Sequence, residues 1–233
     1  MTADQAGEAA PVIAIDGPAA SGKGTIAQGV AAALGYRYLD SGSLYRLVAL
    51  EATRQKVRLD DEPRLAALAD GLALGFGDGR IFVSGQDVTD AIRAEAVSAV
   101  ASKVAVLPRV RTALLTRQRA FRAPPGLVAE GRDMGTVVFP DARLKIYLTA
   151  SAEARASRRY KQLIDKGNSI TIQGLLRDIR ERDERDSARA EAPLKSAPDA
   201  IVLDTTDTTA DAAIAYVLQQ YQSLTAARPR GRA

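Results

Sequence analysis

Val12-Ile-Ala-Ile15, followed at once by Asp16 and by Gly17-Pro-Ala-Ala-Ser-Gly-Lys23-Gly-Thr25, decides how the rest of this chain is read. A β-branched apolar run enters a glycine-rich turn holding one lysine, and Ile26 to Leu34 continues as an apolar-periodic helix. In a strand-to-helix turn of this kind, backbone N–H groups converge on an anion. The helix N-terminus adds the positive end of its dipole, and a lysine reaches the terminal phosphates of a nucleotide. Gly17, Pro18, Ala19, Ala20, Ser21, Gly22, Lys23, Gly24 and Thr25 are therefore the candidate ATP-binding residues. The general phosphate-loop pattern places Ser or Thr directly after the lysine; here Gly24 intervenes and the hydroxyl comes at Thr25. A plain glycine-rich cap on an ordinary βα unit is the competing reading, and the ordered glycines, the lysine and the flanking elements weigh against it. The loop specifies no acceptor, because GTPases, ATPases, small-molecule kinases and nucleotide kinases all use it.

Composition narrows the chemistry. The 233 residues are 46% hydrophobic, enough for one large domain with excursions. Cys and His are both absent. Disulfides, thiolate or histidine metal sites and Ser-His-Asp or Cys-His catalysis are thereby excluded, whereas phosphoryl transfer needs mainly placed cations and a carboxylate. The net charge of +4 suits anionic partners, but aromatics are only 5% and several positive charges fall in Ala227-Arg-Pro-Arg-Gly-Arg-Ala233. A nucleic-acid face needs a basic stripe interleaved with aromatics, so no nucleic-acid partner is expected. No stretch approaches the roughly 20 apolar residues of a membrane span, and Met1 to Ala10 does not read as a signal peptide. The expectation is a soluble cytoplasmic protein.

Working outward from the loop, Tyr36 to Leu39 reads as a short strand. Asp40-Ser41-Gly42 is an N-cap signal for a helix from about Ser43 to Thr53. Asp61 to Ala73 reads as helical. Leu72 to Phe76 and Arg80 to Val83 then flank Gly77-Asp78-Gly79 as a hairpin, with Gly85-Gln-Asp87 as a further turn. A tight hairpin cannot sit inside a parallel sheet, so residues 60–110 read as an insert. Glu95 to Val106 and Pro108 to Arg122 are helical, Gly126 to Ala129 is a buried strand running into Glu130-Gly-Arg-Asp133, and Leu144 to Leu148 is another, followed by a helix from Ala152. A charged helix from Gln173 to Arg189, a strand from Ala200 to Leu203 and a helix from Thr209 to Tyr221 close the chain. The fold class is α/β, a parallel sheet flanked by helices around a phosphate loop, with an insert at about 60–110 containing antiparallel strands. The expected boundaries are a disordered extension over 1–10, one domain over 11–226 and a disordered basic tail over 227–233.

Ligands of open α/β sheets bind beyond the carboxyl ends of the strands. That rule gathers the loop, Ser41 with Arg46, Glu130 to Asp133 and the segment after Leu148 around one expected site. A lone Arg46 or Arg132 is more often a surface arginine; at a strand end opposite a phosphate loop, each becomes a candidate phosphate contact. Arg180-Glu-Arg-Asp-Glu-Arg-Asp-Ser-Ala-Arg189 reads most simply as a solvated helix, since Asp178/Arg182, Glu181/Arg185 and Arg182/Asp186 are i,i+4 partners. Yet Arg182, Asp186 and Arg189 fall within about 60° of helical arc, a face able to hold a phosphate and a sugar hydroxyl. Arg155, Arg158 and Arg159 lie on one helix leading to Lys166-Gly167-Asn168, either a flap that closes over a phosphoryl group or a solvated basic face.

The segments Gly17 to Thr25, Leu39-Asp-Ser-Gly-Ser-Leu-Tyr-Arg46, Pro108-Arg-Val-Arg111, Ala129-Glu-Gly-Arg-Asp-Met-Gly-Thr-Val-Val-Phe-Pro-Asp141 and Glu181-Arg-Asp-Glu-Arg-Asp186 closely resemble the bacterial cytidylate (CMP) kinases, from about Val12 to Tyr221. The Gly-Lys-Gly-Thr form of the loop, odd by the general pattern, is what nucleoside monophosphate kinases carry. The resemblance implies a P-loop NTPase-type kinase domain over 11–226, whose insert at about 60–110 is an inserted acceptor-binding subdomain containing antiparallel strands and which carries a short lid at about 155–170. It implies transfer of the ATP γ-phosphate to CMP or dCMP, with Mg²⁺ held through the ATP phosphates and Thr25 a candidate protein ligand. It implies acceptor sugar or phosphate contacts at Ser41, Arg46, Arg132 and Arg189, cytosine contacts at Ser102, Arg111 and Asp133, a sugar-binding pair at Arg182 and Asp186, and an ATP-binding lid arginine at Arg158 or Arg159. Lys23, Arg132, Asp133 and Arg189 are the catalytic set so implied, and Glu130 receives no role. Cytosine offers an N4 donor beside N3 and O2 acceptors; a carboxylate or hydroxyl taking N4 while an arginine donates to N3 or O2 rejects uracil. ATP and CMP or dCMP are the expected partners of a monomer. Two other readings remain open at this stage: a P-loop kinase of another small acceptor, such as a sugar or a shikimate-like acid, and a nucleotide-dependent switch or nucleic-acid binder.

Overall fold

The apolar run that opens the reading becomes the middle of a sheet. In the computed structural model, which describes residues 9–77, 80–165 and 170–226, β1 (Val12–Asp16) is buried at every position. It pairs in parallel with β6 (Leu127–Gly131) on one side and β7 (Leu144–Thr149) on the other. With β2 (Arg37–Asp40) and β8 (Ile201–Asp204) the sheet has the order β2-β6-β1-β7-β8. A central parallel strand covered on both faces has no polar side, which is why Val12 to Ile15 shows no alternation. Asp16, Gly131 and Tyr147 share one register level, so β1 and β6 end at the same height while β7 runs two residues further, to Thr149.

The chain divides into two units. The first comprises Met1–Leu39 and Ala120–Ala233. Its sheet packs α1 (Lys23–Leu34) and α8 (Ala210–Ala226) through Ile13, Ile15, Ile26, Val30, Val128, Ile146, Leu148 and Val217. α6 (Ala152–Ile164) and α7 (Ile172–Ser187) pair through Ala156, Leu163, Leu175 and Ile179. The second unit, Asp40–Arg119, holds α2 (Ser41–Arg54), α3 (Glu62–Gly71), α4 (Glu95–Val104) and most of α5 (Pro108–Ala120). It also holds a three-stranded antiparallel sheet of β3 (Leu74–Gly77), β4 (Arg80–Val83) and β5 (Gln86–Asp87).

Local chemistry sets the element ends. The Asp40 side chain accepts from Ser43 N–H at 3.0 Å and so starts α2 at Ser41, two residues before the expected Ser43. Gly85-Gln-Asp87 is not a turn as read from the sequence. The reversal lies at Ser84 and Gly85, with φ of 49° and 80°, and this pair of left-handed residues lets Gln86–Asp87 return against Val83 and Phe82 as β5. The charged helix ends at Ser187, leaving Arg189 beyond it. Asp78 and Gly79, Lys166-Gly167-Asn168, and the expected tail over 227–233 lie outside the described residues, as does most of the expected 1–10 extension.

Gly17 is fixed by space and by backbone. Its φ is +153°, and a Cβ there would lie 2.4 Å from the Leu148 carbonyl oxygen, a backbone atom that cannot step aside. Gly17→Ala is expected to destabilise the first unit by about 1–3 kcal/mol, the usual cost of overpacking, read as a lower urea midpoint at unchanged m-value.

Candidate active site

In the first unit, the loop from Gly17 to Gly22 hands directly to α1, whose first residue is Lys23. The lysine is 9% exposed; its Nζ donates to the Pro18 carbonyl at 3.1 Å and stands 4.0 Å from Glu130 Oε2. Glu130 closes β6 and also accepts from the Tyr38 hydroxyl at 2.7 Å. Its carboxylate lies over the start of α1 so closely that a Cβ on Gly24 would meet Oε1 at 2.9 Å. The Gly24 that breaks the general loop pattern is thus the residue that makes room for an acid against the phosphate loop. Sequence reasoning gave Glu130 no task, although an acid ending a strand of fully buried residues was a signal.

The loop is held from behind by residues of α6 and β8. Arg155, 5% exposed, donates to the Ala150 and Ala19 carbonyls at 3.0 and 3.3 Å and forms a bidentate pair with Asp183 at 3.0 and 2.6 Å. It is a buried tie, neither a flap arginine nor a solvated one. Arg158 donates to the carbonyls of Ser21, Thr205 and Thr206, and the Thr205 hydroxyl donates to the Ser21 carbonyl at 3.0 Å. Arg159 is half-buried on the same helix.

Arg132, Asp186 and Arg189 come together in the same unit. Asp186 is 1% exposed; it accepts from Arg132 Nε at 2.9 Å and from the Arg189 guanidinium, with Arg182 near enough to act on its charge. Burial pushes the Asp186 carboxyl up, but the Arg132 and Arg189 charges outweigh it and hold the group below the ordinary carboxylate range. Burial likewise works against the Arg132 charge, and Asp186 more than restores it. Arginine guanidiniums gathered at one place are the groups that recognise a phosphate-bearing ligand. Arg189 reaches this group from beyond the helix end, so the helical face inferred from spacing is completed by a residue off the helix. Asp133 follows Arg132 and is 6% exposed.

In the second unit, Arg46 pairs with Asp40, Ser41 is buried at the start of α2, and Arg111 donates to the Tyr45 hydroxyl at 3.4 Å and the Ala105 carbonyl at 3.3 Å. Ser102 is 4% exposed, and its hydroxyl finds no hydrogen-bond partner among the described residues; the same holds for Arg46 Nε. A buried hydroxyl left unsatisfied costs about 1–3 kcal/mol, so such a group calls for a ligand or a water.

A family model described as cytidylate kinase matches residues 13–223. The chain belongs to the cytidylate kinase family. A cytidylate kinase from Chromobacterium violaceum is 58% identical over 212 residues, covering 91% of this chain and 96% of its own. One from Burkholderia multivorans is 59% identical over 214 residues, covering 92% and 94%. Among solved structures, a gluconokinase from Sinorhizobium meliloti 1021 aligns over 92% of this chain and 95% of its own at 14% identity and a TM-score of 0.45, a likeness too low to argue from. Among the described residues, no helix is long and apolar enough to cross a membrane.

Proposed function

We propose that this chain transfers the γ-phosphoryl group of ATP to CMP or dCMP, giving the diphosphate. The observation that carries the reading is the arginine group on Asp186, in the same unit as a lysine-bearing phosphate loop: one feature suits a donor's phosphates, the other an acceptor's. Gly17 to Thr25 hold the donor, with Lys23 stabilising charge that develops on the transferring group. Arg132 and Arg189 take the acceptor phosphate, with Asp133 orienting the acceptor, and Arg182 with Asp186 takes its sugar. Arg158 or Arg159 on α6 serves as the lid arginine for ATP. In the second unit, Ser41 and Arg46 serve the acceptor's sugar or phosphate, and Ser102 with Arg111 reads cytosine. The unpartnered Ser102 hydroxyl supports that assignment, being able to accept from the base N4 amine.

The Thr25 hydroxyl in the first turn of α1 and the Glu130 carboxylate against Gly24 are hard oxygen donors, the kind that Mg²⁺ takes while keeping most of its waters. Mg²⁺ brought in with ATP would supply neutralisation of the phosphate charge. Thr25 is the side chain assigned to hold it. We read the enzyme as a cytoplasmic monomer whose partners are these small molecules.

The test offers CMP, dCMP, UMP and AMP with ATP and Mg²⁺ and measures ADP formed. Turnover of CMP or dCMP at a kcat/KM well above that of UMP and AMP is expected. A preference for UMP or AMP overturns the base assignment.

A further inference from the structure

Asp16 has no part in the reading above, yet it is a carboxylate in the centre of the sheet. It ends β1, is 5% exposed, and sits one residue before the phosphate loop begins. Its two oxygens accept separate buried backbone hydrogen bonds, from Met134 N–H and Gly135 N–H, each at 2.8 Å. Those residues open a π turn, Met134–Val138, immediately after Arg132 and Asp133. The turn is seated closely: a Cβ on Gly135 would stand 3.1 Å from the Lys145 stem and 3.5 Å from Asp16 Oδ2. Lys145 directs its charge elsewhere, to Asp199 at 2.8 Å.

We propose that Asp16 is a positioning residue for the acceptor side of the transfer, holding through Met134 and Gly135 the turn that aims Arg132 and Asp133. The inference rests on the reading of Arg132 and Asp133 as acceptor residues. A carboxylate is the side chain that can take both N–H groups, one on each oxygen, with no proton facing either donor. A neutral acid or an amide of the same shape offers one good acceptor and turns a donor toward the other N–H, which is left unmade in a buried place. The turn then shifts, and Arg132 shifts with it, while Lys23 and the loop glycines keep their own contacts. A displacement of about 1 Å at a positioned group is enough to cost on the order of 100-fold in rate.

The charge on Asp16 is accordingly sensitive. Burial pushes its carboxyl up to about 7, opposed by the two backbone donors; Asp133 adds to the rise and Arg132 counters it, and Tyr147 on β7 also lies within its field. The folded chain therefore keeps a proton on Asp16 that the unfolded chain releases near 3.8, so the contribution of this group to stability falls as pH rises from about 4 to about 7. The positioning form is the ionised one, present above that window.

The experiment compares wild type with Asp16→Asn. Expected for the variant is a rise in KM for CMP on the order of tenfold or more, with KM for ATP unchanged and a cooperative thermal transition retained. Wild-type kcat/KM for CMP should show an acid limb near pH 7 that the variant lacks, leaving only the limb of the acceptor phosphate, whose second ionisation is at about 6. Equal effects on CMP and ATP in a folded variant, or a wild-type pH profile in the variant, overturn the inference. Should Asp16→Asn fail to fold, the wild type still decides: the Met134 and Gly135 amide resonances should titrate together near pH 7 with the CMP affinity following them. CMP affinity that tracks only its own phosphate ionisation refutes the role. Absence of CMP phosphorylation by wild type is a different failure, that of the proposed function itself.

Discussion

Lys23→Ala is expected to lower kcat by about 10³-fold, with the fold and the binding of CMP retained. The size follows from the charge it supplies: removing one preorganised donor from a developing oxyanion typically costs 10²–10³-fold, and a full cation on a transferring phosphoryl group costs more. Survival of the fold follows from the lysine's surroundings. It donates to the Pro18 carbonyl at 3.1 Å and stands 4.0 Å from Glu130, and Glu130 keeps its 2.7 Å hydrogen bond from Tyr38 without it. Losing one such hydrogen bond changes stability by only about 1 kcal/mol. Lys23→Arg is not expected to rescue, because a planar guanidinium does not replace a compact ammonium between Pro18 and Glu130. Single-turnover phosphoryl transfer measures the loss, calorimetry with CMP checks the acceptor side, and a thermal melt checks the fold. Wild-type turnover in the alanine variant contradicts the assigned role of the loop.

The phosphate loop was legible because its signal is local: strand, glycines, lysine and helix follow one another within a few turns of chain. Arg132 and Asp133 were legible for a related reason, standing at a strand end in a run of distinctive residues. The supports behind them were not. Asp16 meets Met134 and Gly135 across more than a hundred residues, and Arg155 meets Asp183 from a different helix, so no periodicity or spacing links either pair. Arg155 illustrates the difficulty: at helical spacing from Arg158 and Arg159 it reads as one of a basic face, and burial separates it from them. The π turn at Met134–Val138 has no side-chain cap to announce it and is held by an acid on β1. The element ends moved for small chemical reasons, such as the left-handed pair Ser84-Gly85 that turned an expected loop into β5. What sequence supplied was therefore the residues proposed to meet ligand, and what it withheld was the set packed behind them.

Asp186→Ala should be costly for stability and for the acceptor side alike. Asp186 is 1% exposed, between Arg132 and Arg189 and within the field of Arg182. Removing it takes away the carboxylate held between two guanidiniums, and breaking a buried pair in this one-sided way costs about 3–5 kcal/mol. That is a large share of the roughly 5–15 kcal/mol that keeps a domain folded. The acceptor site should fail too, since Arg132 and Arg189 lose the group that fixes their direction. Asp186→Asn keeps an oxygen for one arginine but not the charge, so its loss should be intermediate. The carboxyl is held below its ordinary range in the folded chain; its contribution is present above the unfolded pKa and lost as pH falls through the lower folded one, and the alanine variant should lose that acid-side slope. An added anion distinguishes charge repulsion from lost packing. Inorganic phosphate should raise the melting temperature of Asp186→Ala more than that of wild type, because the variant has lost the carboxylate that offsets Arg132 and Arg189. Urea unfolding with and without phosphate reads both effects. A variant as stable as wild type in low salt would mean that solvent already screens these arginines, and the assignment of Asp186 as the residue that holds the acceptor site together would fall.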